Sequence, residues 1–265
     1  MIKLIMTDMD GTLLDENGEL PAEFDEVMEM VKERKILFAP ASGRQYYALL
    51  RQFEKYKDDF IFLAENGTYV AHREIELFSS VMPKATVKNL LRIAKMIPQT
   101  YPVVCGKKGA YVTATYEPFM GELEKYYTEF QVVKDFSEIQ DEVIKVSFCD
   151  FSELGSEFNT YPYFSEYREQ LQISVSSNLW VDVMNYGINK GIAIQQVQKM
   201  LGISPKECAA FGDYLNDLEM MSSVYYSFAM DNAHPQIKEV ANFAAKSNRE
   251  HGVMLAIKEL LEKGI

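Results

Sequence analysis

Asp8-Met9-Asp10-Gly11-Thr12-Leu13-Leu14 closes the apolar run Ile2-Lys3-Leu4-Ile5-Met6-Thr7. The run reads as a buried strand, and side chains two apart on a strand share a face. Two carboxylates held that close repel unless a divalent cation or a shared proton offsets them. Gly11 lets the backbone turn sharply and bring amides near an anion. An acidic pair at a strand's carboxyl end, beside a glycine turn, suits magnesium-assisted phosphoryl chemistry. An isolated Asp-x-Asp is more simply a solvated acidic turn; the whole stretch from Asp8 to Leu14 favours the chemical reading.

Outward from this stretch the chain alternates. Pro21–Lys35 has helical apolar spacing through Phe24, Val27, Met28 and Val31, with Pro21 near its start. Ile36–Ser42 is strand-like, Tyr46–Tyr56 helical, and Phe60–Glu65 another buried strand. Such alternation predicts parallel strands joined by crossover helices. Ligands of these sheets sit beyond the strands' carboxyl ends, where Asp8, Ser42 and Glu65-Asn66-Gly67 all fall.

From Met82 the rhythm changes. Pro83–Pro98 reads as a helix, Tyr101–Cys105 and Ala110–Ala114 as a hairpin across Gly106-Lys107-Lys108-Gly109, and Pro118–Phe130 as a second helix. Strands near Val143–Phe148, Leu171–Ser176 and Trp180–Met184 flank an aromatic-rich stretch from Phe158 to Tyr167. After Asn189 the alternation resumes to the last helix, Val253–Lys263. The expected fold is therefore α/β: a Rossmann-like parallel-sheet core of residues 1–81 plus 186–265, interrupted by an inserted α+β cap domain over 82–185.

The 265 residues allow one large or two modest domains, and a hydrophobic content of 48% allows a full core. A net charge of −12 without any basic run argues against nucleic acid. No apolar run approaches membrane-spanning length, and Asp8 stands too early for a secretory segment, so no membrane partner is expected. Cys105, Cys149 and Cys208 lie far apart and read as reduced core thiols of a cytoplasmic protein. His72, His234 and His251 lack the spacing of a zinc site.

Three further strings fall at predicted strand ends or helix starts. In Ala41-Ser42-Gly43-Arg44 a hydroxyl and a glycine amide can bond a phosphoryl oxygen at the positive end of a helix; read alone, Ser42 is an ordinary N-cap. Asn189-Lys190-Gly191 puts an ammonium in a helix's first turn, an uncomfortable place for a cation unless an anion sits nearby. Gly212-Asp213-Tyr214-Leu215-Asn216-Asp217 follows the strand Ala209-Ala210-Phe211, and Asp213 there offers the hard oxygen that Mg²⁺ prefers.

Taken together and in this order, the four strings closely resemble the motifs of the haloacid dehalogenase-like (HAD) hydrolases. The resemblance implies Asp8 as nucleophile, Asp10 as general acid/base, Ser42 holding the transferring phosphoryl group and Lys190 stabilising its charge. It implies a Mg²⁺ site from Asp8, Asp10 (through its backbone carbonyl), Asp213 and Asp217, the last through water or by orienting neighbours. Gly43, Arg44, Asn66 and Asn216 are counted as substrate- or phosphate-binding. Glu65-Asn66-Gly67 and the insertion point resemble the Cof-type phosphatase branch. Met230-Asp231-Asn232-Ala233 resembles that branch's Met-Gly-Asn-Ala, with Asp231 for glycine, and His251 stands where Asp is usual, a departure that can loosen the metal loop.

The expected function is thus a Mg²⁺-dependent phosphatase of small phosphorylated metabolites, sugar phosphates or similar monoesters, working through an aspartyl-phosphate as a monomer or small homo-oligomer. Two alternatives stay open. One is a phosphotransferase or mutase using the same intermediate; the other is a non-catalytic phosphometabolite-binding regulator, which has no need of the Asp8/Asp10 pair. The aromatic residues of the insertion read first as core packing and second, with Arg168, as contacts to a sugar or heterocycle.

Overall fold

The computed structural model describes residues 1–265. The alternation seen in the sequence is realised as β1 (Leu4–Thr7), α1 (Phe24–Glu33), β2 (Leu37–Pro40), α2 (Tyr46–Gln52) and β3 (Ile61–Ala64). A hairpin follows, β4 (Tyr69–His72) and β5 (Ile75–Ser79). Then come α3 (Lys84–Ala94), β6 (Thr100–Gly106), β7 (Ala110–Val112), α4 (Glu117–Tyr126), β8 (Phe130–Val132), β9 (Val143–Asp150), β10 (Leu171–Val175) and β11 (Trp180–Asn185). The chain ends with α5 (Lys190–Leu201), β12 (Cys208–Gly212), α6 (Leu218–Ser222), β13 (Tyr226–Met230), α7 (Pro235–Val240), β14 (Phe243–Ala245) and α8 (Gly252–Glu262).

The parallel core sheet has the order β14-β13-β12-β1-β2, with every neighbouring pair parallel. Strand β1 lies inside the sheet, between β12 and β2, and is buried on both faces, as a strand sandwiched between helices must be. The strand Phe60–Glu65 joins this sheet only loosely, through one parallel bridge between Ala41 and Leu63. It forms instead a three-stranded antiparallel sheet with the hairpin β4–β5, which the alternation had not foreshadowed.

Residues from 100 to 185 build a six-stranded mixed sheet of order β10-β11-β9-β6-β7-β8. Alternate side chains of its strands feed two cores. Val104, Val146, Phe148, Val181 and Val183 pack toward Val87, Leu90 and Ile93 of α3. Val103, Cys105, Cys149 and Trp180 pack toward Phe119 and Leu123 of α4. The hairpin across Gly106–Gly109 forms as expected. The helix expected over Pro118–Phe130 stops at Tyr126, because Tyr127 is already extended (φ −124°, ψ 115°) and Phe130 opens β8. No helix is long and apolar enough to cross a membrane.

Candidate active site

The carboxyl ends of β1, β2, β3 and β12 bring the four strings to one edge of the sheet. Asp8 follows β1 with its amide bonded to the Phe211 carbonyl of β12, and its side chain is 8% exposed. Lys190, at the first position of α5 and fully buried, places Nζ 2.5 Å from Asp8 Oδ1 and 2.7 Å from Asp217 Oδ1. Burial alone would favour the neutral amine, but Asp217 and Asp8 overcome it and hold the ammonium. The anion that the helix start demanded is therefore present twice.

Asp217 is fully enclosed. Besides Lys190 it accepts from the amides of Asp213 (3.0 Å) and Tyr214 (3.3 Å), so its carboxylate shapes the loop after β12. Gly212 makes this possible: a Cβ there would stand 2.6 Å from Asp217 Oδ2. Gly11 has φ +82°, and a Cβ on it would collide with the Asp213 carboxylate, which also accepts from Thr12 Oγ1 at 2.8 Å. The two loops interlock and leave Asp213 facing Asp8.

Carboxylate oxygens of Asp8, Asp213 and Asp217 lie within 4.8 Å of one another. Burial, then repulsion from Asp217, pushes the Asp213 carboxyl up to about 7. Burial pushes Asp8 well above the usual carboxylate range, with Lys190 opposing and Asp217 and Asp213 adding. Buried Asp8 and Asp217 and half-buried Asp213, beside one lysine, form a hard-oxygen donor set with charge to spare, and that suits a small divalent cation. The Asp10 side chain stands apart from this cluster. It is 46% exposed and gripped by Arg44, Nε to Oδ2 at 2.8 Å and Nη2 to Oδ1 at 2.5 Å.

Across the cleft runs the loop Ser42–Arg44. Ser42 Oγ accepts from the Arg44 amide at 3.1 Å, and Arg44 also donates to Gln52 and lies over the Tyr126 ring. Asn216 donates to Asn66 Oδ1 at 3.1 Å, while Asn66 Nδ2 donates to Asp182 at 2.6 Å. Asn66 thus faces residues of the six-stranded sheet as much as the cleft. The far wall comprises Tyr126, Tyr127, Lys145, Ser176, Ser177, Trp180 and Asp182.

The motif strings give no hint of those wall residues. The aromatic side chains on the wall come from α4 and β11, whereas the aromatic-rich stretch 158–167 folds into two short 3₁₀ turns with Phe164 in the core. Arg168 is exposed and takes no place in the cleft lining. One signal was present: Lys145 and Ser147 alternate with Val146 and Phe148, a polar face inside an otherwise apolar strand.

A family model described as haloacid dehalogenase-like hydrolase matches residues 5–257. The chain belongs to this family. It is a hydrolase of that class, and its named relatives are phosphatases. It is 31% identical over 264 residues to the 5-amino-6-(5-phospho-D-ribitylamino)uracil phosphatase YbjI of Escherichia coli K12, covering 98% of this chain and 97% of that one. It is 26% identical to the HMP-PP phosphatase of Escherichia fergusonii, covering 90% and 87%. A solved structure from Streptococcus mutans UA159 superposes with TM-score 0.90 at 28% identity, over 99% of this chain and 100% of that one. The fold expectation, a parallel-sheet core with additional sheets, and the family expectation are both met.

Proposed function

We propose that this hydrolase is a Mg²⁺-dependent phosphatase that acts on small phosphorylated metabolites through a phosphoryl group carried on Asp8. The observation that carries the reading is the Asp8–Lys190–Asp217 chain at the floor of the cleft, beside Asp213 and opposite the Ser42–Arg44 loop. Asp8, Asp213 and the Asp10 carbonyl would hold the ion, with Asp217 fixing the loop that presents Asp213. When bound, Mg²⁺ supplies the positive charge that lets an anionic nucleophile approach a phosphate ester.

The protein's own groups do the rest. An Asp8 oxygen attacks phosphorus as the bond to the leaving oxygen breaks, and Asp10 gives that oxygen a proton. Asp10 then takes a proton from the water that attacks the aspartyl-phosphate, which restores Asp8 and releases inorganic phosphate. Lys190 favours the ionised form of Asp8 against the cost of burial, and a bound Mg²⁺ would add to that. Ser42 Oγ, the Gly43 amide and Asn216 hold the non-bridging oxygens, an electrostatic role that favours the transition state. Residues 82–185 act as a cap over the core of 1–81 and 186–265, excluding water and meeting the leaving group.

The names of the relatives and the aromatic wall support a leaving group that carries a pyrimidine or a polyol chain. Buried free thiols at Cys105, Cys149 and Cys208 support a cytoplasmic home. The test is phosphate release from a panel of phosphorylated metabolites with Mg²⁺, headed by the ribitylaminouracil phosphate and HMP-PP, for the native chain and Asp8→Asn. Release that needs the metal and disappears in the variant supports the reading. A folded chain that binds these esters without releasing phosphate refutes it.

A further inference from the structure

In the Ser42–Arg44 loop the Ser42 amide donates to the Leu63 carbonyl at 2.9 Å and the Arg44 amide to Ser42 Oγ at 3.1 Å, which leaves the Gly43 amide for a ligand, and the loop has three carbonyls of its own. Each of them is taken. The Ser42 carbonyl accepts from the Asn66 amide at 2.9 Å and the Arg44 carbonyl from the Glu65 amide at 3.0 Å. The Gly43 carbonyl accepts from Lys145 Nζ at 2.9 Å. Two of the three donors therefore come from the turn after β3 and the third from β9 of the six-stranded sheet.

That turn is strained. Glu65 and Asn66 both adopt left-handed backbone (φ 53° and 57°), which bulky and branched residues avoid. Lys145 holds the turn from outside. Its ammonium is 2.6 Å from Glu65 Oε2 and 3.4 Å from Asp182 Oδ1, with Lys145 only 1% exposed. Asp182 in turn accepts from Asn66 Nδ2 at 2.6 Å, Ser176 Oγ at 2.5 Å and Ser147 Oγ at 2.5 Å. In the sheet register Asp182 pairs with Ser147, and Lys145 lies two residues before Ser147 on the same face, so β9 and β11 deliver the cluster together. A buried lysine that forms both ion pairs and also spends a hydrogen bond on a backbone carbonyl is an expensive way merely to fill space.

We propose that Lys145 is a positioning residue of the phosphate pocket: by holding the Gly43 carbonyl and Glu65 it sets the aim of the Ser42–Arg44 loop, so the pocket takes its binding shape only with the six-stranded sheet docked on it. This rests on the phosphatase reading above. It differs from leaving-group recognition, because the effect falls on the phosphoryl group that every substrate shares.

The test compares the native chain, Lys145→Met and the double variant Lys145→Met/Glu65→Gln, which removes one charge of each sign and keeps the cluster's net charge. It uses p-nitrophenyl phosphate, the best metabolite ester and, by calorimetry with Mg²⁺, inorganic phosphate. The expected result is a fall in kcat/KM of roughly 10–100-fold, the scale on which supporting partners act. It should be equal for the two esters, with phosphate affinity weakened in step. If Lys145→Met does not fold, the double variant carries the comparison. A folded variant with native phosphate affinity, or a loss confined to the metabolite ester, overturns the proposal. A native chain that binds phosphate but cleaves no ester refutes the phosphatase reading alone, and the calorimetry still decides on Lys145. A native chain that neither binds phosphate nor cleaves any ester overturns both, and one that cleaves esters without measurable phosphate binding overturns the Lys145 proposal alone.

Discussion

Arg44 grips Asp10 by a two-pronged contact, both carboxylate oxygens engaged at 2.5 and 2.8 Å, and the arginine is itself braced by Gln52 at 3.1 Å. In the proposed mechanism Asp10 gives and then takes a proton, so one prong has to open during the cycle. Arg44 therefore orients Asp10 at least as much as it meets substrate. Arg44→Lys keeps the charge but not the planar fork. The expected outcome is a kcat lower by roughly 10-fold or more with KM changed less, the pattern of an interaction that matters in the transition state. Steady-state kinetics on one ester reads the split. A raised KM at native kcat would instead make Arg44 a substrate clamp.

Asp8→Asn removes the proposed nucleophile but keeps the side chain's shape. Turnover should fall by roughly 10⁴-fold or more, as for other covalent nucleophiles. The metal-free variant should melt no lower than the native chain, because the substitution removes one of three crowded acids. Thermal melting beside the phosphate-release assay checks both halves.

Asp213 sets a pH dependence. Its folded value is raised from 3.8 to about 7, so the metal-free fold favours the protonated acid. The associated stability is fully present below the ordinary value and is lost as pH rises through about 7. Bound Mg²⁺ requires the carboxylate and competes with that proton. Apparent Mg²⁺ affinity should strengthen by about tenfold per unit or more as pH rises toward 7, since Asp8, also pushed up by burial, must give up its proton too. Calorimetric titration between pH 5.5 and 8, with buffers of different ionisation enthalpy to count released protons, makes the measurement. An affinity flat across that range would contradict it.

Gly11→Ala strains a backbone at φ +82° and pushes a methyl group into Asp213. A loss of about 1–3 kcal/mol in unfolding free energy is expected, together with weakened Mg²⁺ binding. Gly18, also at positive φ (+77°) but with no neighbour within 4 Å, is the control. Gly18→Ala should cost stability without touching the metal.

How much was legible beforehand divides along physical lines. Local chemistry was readable: Asp8, Lys190 and Asp213 each sit at a strand end or helix start whose sequence signals are short-range, and the structure brings them together. The hairpin across Gly106–Gly109 was readable for the same reason. The hairpin β4–β5 was not, because its outer strand Ile75–Ser79 is an edge whose alternating Ile75 and Leu77 stay exposed, so the pattern marks no buried face. Nor was the pairing of Lys145 with Glu65, since a long-range ion pair leaves no trace in either residue's neighbours. The end of α4 was misplaced because Tyr127, Thr128 and Glu129 carry no glycine or proline to mark a stop.

Strand β1 has β2 as one partner and β12 as the other, and Thr12 reaches Asp213 across 201 residues of chain. A ribosome reading this message therefore finishes the nucleophile's strand long before the strand that must flank it exists. The mixed sheet of residues 100–185 meets no such wait, because its strands lie within one continuous stretch of chain. Contacts between distant segments are slow to form and leave edges open meanwhile. The order of synthesis thus allows the six-stranded sheet to form before β12 and the loop that carries Asp213 have been made.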